Sequence, residues 1–386
     1  MVVRIVRIAI VGARGIGNYG GFESVVSELA PRLRQFEYDV SCTHEISEGN
    51  KRPEEYKGVQ IAYFPLRFPS NYAMRKVFEI LYDWYFALKF SFGTRCDIVY
   101  FLGTGVGPCL FLMKFSRSKS IVNIDGVEYQ RAKFNLVEKS LLRLLFAASY
   151  RWADWLIVDN TQLIQIIPEP YRSRTRYITN GVRSIENVAW NDDLIRELLG
   201  ENDYRLQPDQ YWLVVARMEP ENNVHMIIEG YARSKGCLPL VIVGSPTSAK
   251  YWEFVKRICE NLAPNKKVLL LGSVFDQSAL GMLRKHCLAH VHGHSVGGTN
   301  PSLLEAMAAK NIVIAHDNSY NREVSAETAI YFNDAESLGK ILDQVETGGR
   351  KCQDLGNKAY DRVTKNYNWD QIAEEYRTLF GDLGFS

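Results

Sequence analysis

Two hydrophobic periods alternate along the chain. Residues 5–11 (IVRIAIV) form a short, mostly β-branched apolar run that stops at Gly12. The spacing of Val25, Val26, Leu29 and Leu33 then predicts a helix over 22–36. Further apolar runs at 39–43, 59–63, 97–102, 120–124, 155–159 and 176–179 predict strands, with helical patterns between them at 71–92, 107–115, 136–152 and 161–167. Such alternation predicts a parallel sheet covered on both faces. Residues 183–208 are polar, carry one short helix-like piece (DDLIRELLG) and read as a linker. A second series begins at Tyr211 and continues with strands at 238–243, 267–271, 288–292 and 312–315. Helices fit at 223–234, 248–261, 276–286, 301–309 and 336–347, and the last 30 residues read as amphipathic helix. The expected fold class is α/β, with two Rossmann-like, doubly wound domains at 1–182 and 209–365. The helix at 366–386 is expected to pack back on the first domain. Ligands of such sheets bind at the carboxyl ends of the strands, so a substrate held across two domains is expected.

Composition narrows the class. With 386 residues, 46% hydrophobic and 23% charged, the chain can bury two cores. The net charge of +2 does not suggest a nucleic-acid partner. It hides an asymmetry: residues 1–180 hold 24 Lys+Arg against 17 Asp+Glu, and the excess sits in 66–151, with 13 basic and 6 acidic residues. Seven scattered cysteines without a CxxC fit a reducing cytoplasm rather than a disulfide framework or a zinc site. The N-terminus lacks the features of a signal peptide. The longest uncharged run, Ile98 to Met113, is too short and glycine-rich to span a membrane.

Three motifs carry chemistry. In GARGIGNYGGFE (12–23), glycines and a following helix start suit a phosphate. The strict GxGxxG spacing and a GK[ST] are both missing, and a plain tight turn is the structural alternative. In VHGHSVGGTNPSLLEAMA (291–308), a glycine turn precedes Pro301, and free amides are expected at Ser302, Leu303 and Leu304. Glu305 lies one turn in, placed to accept sugar hydroxyls; a simple capped helix is the alternative. In ARMEPENN (216–223), Arg217 ends a strand and can clamp a diphosphate bidentately, unless it only forms a surface pair with Glu221. His292 and His294 flank the strand end before the glycine turn and can reach a donor.

Together with NIDGVEYQRAKF (123–134), ITNGV (178–182) and NREV (321–324), these segments make the chain resemble a retaining glycosyltransferase of the GT-B group called family 4, in its bacterial rhamnosyltransferase-like branch. The resemblance spans both domains in order. It implies an acceptor-binding first domain and a nucleotide-sugar-binding second domain. Glu305 matches the glutamate that binds the donor ribose; Gly298, Thr299 and Asn300 match the turn holding donor sugar and diphosphate. Arg217 matches the basic residue on the diphosphate, and Gly20 and Gly21 the loop near the phosphates. Val274 falls where backbone grips the base. Asp125 and Glu221 match positions kept acidic around the reacting sugar. The chain departs from the pattern where the first glutamate of a pair falls at Gly297 and a lysine at Asn222.

The leaving nucleoside diphosphate needs preorganised amides and a cation. No DxD sits in a suitable loop, since Asn191-Asp192-Asp193 lies in the linker, so neither a metal nor another cofactor is expected. An oxocarbenium-like carbon needs a nearby carboxylate. Asp125 is the candidate, as stabiliser, base or nucleophile, with Glu128 behind it and an Asp-Gly turn as the structural alternative. Eleven aromatics in 63–92, interleaved with Arg67, Arg75, Lys76 and Lys89, and the mixture at 111–119 suit an anionic membrane surface; aromatic core packing is the alternative. The resulting expectation is transfer of L-rhamnose from dTDP-β-L-rhamnose to a lipid-linked glycan, in the cytoplasm at the membrane's inner face. The alternatives are a UDP- or GDP-hexose donor, a non-catalytic sugar-nucleotide binder, and a Rossmann oxidoreductase. Arg217→Ala and Glu305→Ala are both expected to leave the fold intact.

Overall fold

The β-branched run that stops at Gly12 forms β1 (Arg7–Val11), and the helical spacing after it forms α1 (Gly21–Gln35). In chain order follow β2 (Asp39–His44), β3 (Glu55–Tyr56), β4 (Val59–Tyr63), α2 (Tyr72–Leu88), β5 (Ile98–Leu102), α3 (Leu110–Met113) and β6 (Lys119–Ile124). Next come α4 (Leu136–Trp152), β7 (Trp155–Val158), α5 (Glu169–Arg172), β8 (Thr175–Tyr177) and α6 (Asp192–Leu199). The second series is β9 (Trp212–Val215), α7 (Val224–Arg233), β10 (Leu240–Val243), α8 (Ala249–Glu260), β11 (Val268–Gly272), α9 (Gln277–Lys285), β12 (Ala289–His292) and α10 (Pro301–Ala308). It ends with β13 (Ile312–His316), α11 (Ser319–Ser325), β14 (Ala329–Phe332), α12 (Ala335–Gly348), α13 (Arg350–Asn366) and α14 (Trp369–Asp382). The computed structural model describes residues 5–17, 20–46, 52–131, 134–183, 188–200, 204–348 and 350–385. The chain divides into two compact units. The first is Met1–Gln130, Phe134–Gly181 and Trp369–Ser386; the second is Arg131–Lys133 and Val182–Asn368.

The first unit holds an eight-stranded sheet in the order β3-β4-β2-β1-β5-β6-β7-β8, parallel except for the β3–β4 pair. β1 lies centrally, with Ile8 level with Val40 of β2 and Ile98 of β5. α1 and α14 cover one face. There Val26, Leu29 and Leu33 meet Ile8, Ile10, Ile372 and Phe380 in one core, and the hydroxyls of Tyr100 and Tyr376 hydrogen bond at 2.7 Å. Each such fully buried side chain contributes about 1.5–3 kcal/mol. On the other face α2 packs on β1 and α3 on β6. Asn71 caps α2, and Asn135 with Glu138 forms a reciprocal capping box on α4. Most of the aromatics in 63–92 do not form a surface. Phe64, Tyr82, Phe86 and Phe90 are buried, with ring centroids 5.3 Å apart for Phe64–Tyr82 and 4.9 Å for Tyr82–Phe86. The Tyr72 side chain lies outside the described residues.

The second unit holds a six-stranded sheet, all parallel, in the order β11-β10-β9-β12-β13-β14. Its strands are apolar on both sides, with β9 and β10 buried at every position, as a doubly covered parallel sheet requires. α7, α8 and α12 cover one face. On the other, α6 and α9 place Ile195, Leu199 and Leu280 in one core with Leu206 and Tyr211. The segment expected as a linker is therefore largely part of this core; residues 184–187 and 201–203 of it lie outside the described residues. β3, α5, α11 and β14 were absent from the expected elements, and α13 begins seven residues before the expected C-terminal helical region. β14 is four residues long, and α13 carries few apolar positions.

Candidate functional site

In the second unit, the loops leaving β9, β10, β11 and β12 converge at the carboxyl ends of the strands. The Gly244 amide donates to the Gly272 carbonyl at 2.7 Å, and the Met218 amide to that of Ser245 at 2.9 Å. A Cβ on Gly244 would lie 1.8 Å from the Ala216 carbonyl oxygen, so this approach of two loops requires glycine. The Ser302 hydroxyl donates to the Val215 carbonyl at 2.7 Å, which seats the start of α10 on the end of β9.

Arg217 follows β9 and is 59% exposed along its side chain. Its partner is the buried Glu219 at 3.5 Å, not Glu221. Glu221 is 5% exposed, and neither of its carboxylate oxygens has a hydrogen-bond partner. Its own carbonyl is stapled to the next loop by the amide and hydroxyl of Ser295, at 2.9 and 3.0 Å. Asn222, where the resemblance puts a lysine, uses its side chain twice. It donates to the Arg217 carbonyl at 2.8 Å and holds His294 Nδ1 at 2.7 Å. The His294 carbonyl in turn accepts from Asn318 and Asn321, at 3.0 and 2.9 Å, which gives the NREV segment a structural task. A buried polar atom without a partner costs roughly 1–3 kcal/mol, and Glu221 carries two such atoms.

The start of α10 differs from expectation. Asn300 caps it: its side chain accepts from the Ser302 amide at 2.9 Å, and its carbonyl lies 3.1 and 3.3 Å from the amides of Leu303 and Leu304. Those three amides are engaged, and an anion at this helix start meets Gly298 and Thr299 or displaces the Asn300 side chain. The Leu303 side chain belongs to the core. Val274 follows β11 and is likewise packed in the core, against the face that holds Leu280. Glu305 forms an ion pair with Arg284, which is 3% exposed. Arg284 lies on α9, and its carbonyl accepts from the Asn311 side chain at 2.6 Å. Sequence reading missed this arginine.

Three histidines line the end of β12. Burial holds His292 and His294 neutral, with pKa values lowered to about 3, helped by neighbouring positive or protonatable groups. Burial lowers His290 well below its ordinary value too, and neither of its ring nitrogens has a partner. These rings bind protons only once unfolded. For His292 and His294 the stabilisation is complete above the unfolded value of about 6.5 and is lost as pH falls toward 3, at about 2 kcal/mol per ring by pH 5. The melting temperature is therefore expected to drop clearly between pH 7.5 and pH 5; an unchanged value would contradict this assignment.

In the first unit the glycine loop leaves β1. A Cβ on Gly12, at φ +120°, would sit 2.7 Å from the Leu102 carbonyl oxygen, so the loop turns back over β5. Gly20 precedes α1 without a side-chain cap, and nothing lies within 4 Å of a Cβ on Gly21. Tyr19 of the same motif lies outside the described residues. Glu23 accepts from the Arg14 amide at 3.0 Å. Asp125 follows β6 and is half-buried. A further carboxyl went unread in the sequence: Asp83 on α2 lies against Gly105, and burial raises its pKa to about 7, moderated by Arg14. A groove of about 2020 Å³ in this unit is lined by Arg7, Asp39 and Asp97, at the amino ends of the strands, so it is separate from the glycine loop. Among the described residues, no three His, Cys, Asp or Glu side chains are grouped to hold a metal ion.

Residues 202–362 match the family described as "Glycosyl transferases group 1", and residues 5–183 match "Domain of unknown function (DUF1972)". Among curated proteins, the chain is 26% identical over 314 residues to a Campylobacter jejuni enzyme, covering 78% of each chain. That protein is named N-acetylgalactosamine-N,N'-diacetylbacillosaminyl-diphospho-undecaprenol 4-alpha-N-acetylgalactosaminyltransferase. It is also 21% identical to an uncharacterized glycosyltransferase of Methanocaldococcus jannaschii, over 99% of this chain and 100% of the other. Among solved structures, sucrose-phosphate synthase from Thermosynechococcus elongatus aligns with a TM-score of 0.78 at 18% identity, over 98% of this chain and 99% of the other. Anabaena HepE in complex with UDP-glucose aligns at 0.75 and 14%, over 97% and 99%.

Proposed function

We propose, for a chain that is a glycosyltransferase of the GT-B fold acting on a nucleotide sugar, that it transfers L-rhamnose from dTDP-β-L-rhamnose to a lipid-diphosphate-linked glycan. It does so with retention, in cell-surface polysaccharide synthesis, as a member of the rhamnosyltransferase-like branch of family 4, at the cytoplasmic face of the membrane and without a metal. The observation that carries a sugar-transfer reading is Glu221, a buried carboxylate with no hydrogen-bond partner, four residues after Arg217, the cation that Glu219 holds. Donor-sugar hydroxyls satisfy its oxygens, while Arg217 meets the diphosphate. Gly298, Thr299 and Asn300 border the sugar and diphosphate, His294 stands beside them, and Glu305 takes the ribose. Backbone at Val274 contacts the base. Gly20 and Gly21 approach the phosphates at a helix start without a side-chain cap, with nothing within 4 Å of a Cβ on Gly21. Asp125 acts on the acceptor hydroxyl or stabilises charge at the anomeric carbon. The relative whose name specifies an undecaprenol-diphosphate acceptor supports a lipid-linked acceptor here.

The test is a donor panel with purified protein: thermal shift against dTDP, UDP and GDP, then product formation from dTDP-rhamnose in the presence of EDTA. A larger shift with UDP or GDP removes the rhamnose assignment, and an EDTA-sensitive rate removes metal independence. Glu221→Gln is expected to raise the melting temperature of the ligand-free protein while lowering turnover at least about tenfold, because it removes a buried uncompensated charge that only the donor relieves. Loss of stability together with activity would overturn that role. Asp125→Asn is expected to slow turnover with donor affinity unchanged; a pure binding defect counts against a catalytic Asp125.

A further inference from the structure

The helical layer formed by α2, α3 and α4 in the first unit exposes an apolar face. Of the 17 large hydrophobic side chains exposed among the described residues, 12 fall between Met74 and Leu144. They are ordered. On α2, Met74, Val77, Leu81 and Leu88 recur at i, i+3, i+7 and i+14, which puts them in one stripe, and Phe92 extends it. On α4, Val137, Leu141 and Leu144 recur at i, i+4 and i+7, all solvent-exposed. α3 bridges the two: α2 and α4 each pack against it, and Phe111 sets its ring 5.6 Å from Phe115 and 5.5 Å from Trp152 at the end of α4. Phe115 is 74% exposed, and it lines the same groove as Phe92.

Basic side chains predominate around this face, with 13 basic and 6 acidic residues in 66–151. Glu79 pairs with Arg14 and Lys76, Glu138 is spent in its own capping box, Asp154 pairs with Lys114, and the Asp97 side chain accepts from the Arg7 amide. Arg95 and Arg117 are set beside Phe92 and Phe115 in the groove, which Glu37, Asp39 and Asp97 also line, and Lys89 stands close by in sequence. Exposed apolar side chains gathered on one helical layer mark an interaction surface. An apolar face rimmed by basic side chains matches the boundary of a bilayer that carries anionic headgroups.

We infer that the outer face of α2, α3 and α4 docks this protein on an anionic phospholipid bilayer, with the aliphatic stripes and the two phenylalanines entering the headgroup boundary. This names the surface for the membrane placement proposed above, and its test does not depend on donor or acceptor identity. The full chain is sedimented with phosphatidylcholine vesicles with and without phosphatidylglycerol. The anionic vesicles are expected to bind at least about tenfold more protein, with binding weakened by added salt. The triple variant Leu81→Ser, Phe115→Ser and Leu141→Ser, and separately Arg95→Glu with Arg117→Glu, are each expected to lose at least about tenfold in vesicle binding while melting temperature and dTDP binding stay unchanged. Equal binding to both vesicle types, or wild-type binding by the triple variant, overturns the inference. So does a dimer in solution that the triple variant dissociates, which would assign the face to a second copy of the chain. Failed vesicle binding with intact nucleotide binding leaves the transferase reading standing; the reverse result leaves the docking face standing.

Discussion

Glu305→Ala is expected to destabilise the second unit by about 3–5 kcal/mol, the loss typical of removing one partner from a buried ion pair. The reason is Arg284. Its guanidinium is almost wholly enclosed, and Glu305 is its anionic partner. Removing the carboxylate leaves a buried positive charge without compensation. The expectation from sequence, that the fold survives this substitution, is revised on that ground. Arg284→Met is expected to be milder, because the Glu305 side chain is 24% exposed and water can compensate it. The double variant Glu305→Gln with Arg284→Met replaces the pair by neutral groups and is expected to recover most of the stability. It still lacks the carboxylate proposed for the ribose, so its donor affinity is expected to stay low. Urea unfolding and nucleotide titration of the three variants separate the two roles. A loss below about 1 kcal/mol in Glu305→Ala would show that the pair carries little.

The second large effect belongs to Arg217. Arg217→Ala is expected to lower turnover by about 10²–10³-fold, as expected for removing one preorganised charge partner from a developing anion. The fold is expected to survive, because the side chain is mostly solvated and its single ion pair with Glu219 is long. Arg217→Lys is expected to recover only part of the rate, since an ammonium cannot grip two phosphate oxygens in the fork geometry of a guanidinium. Wild-type turnover in Arg217→Ala would remove the diphosphate assignment.

The sequence made some of this readable and hid the rest for identifiable reasons. Arg217 was legible because a β-branched strand stops just before it, and strand ends are where such sheets place ligands. Its true partner was not, since Glu219 and Glu221 both lie on the same turn and only the backbone path decides between them. The self-capped start of α10 had a signal: asparagine followed by proline is itself a helix-start signature, and it competes with the reading of free amides. Arg284 carried none, because it lies on a different helix, 21 residues before Glu305, and reads as an ordinary basic residue in the last turn of α9. For the aromatics of 63–92 the sequence left a membrane surface and core packing both open, because basic residues interleave with them. The helix turns the rings inward and leaves aliphatic side chains outside, a division that residue type alone does not give.

The most direct test of the central claim, that the strand-end loops of the second unit grip a diphosphate through Arg217, is a calorimetric comparison of dTDP with thymidine monophosphate. In the wild-type protein dTDP is expected to bind at least about tenfold more tightly, and in Arg217→Ala that preference is expected to vanish. Equal affinity for the two nucleotides in the wild type, or a preference that persists without the arginine, would contradict it.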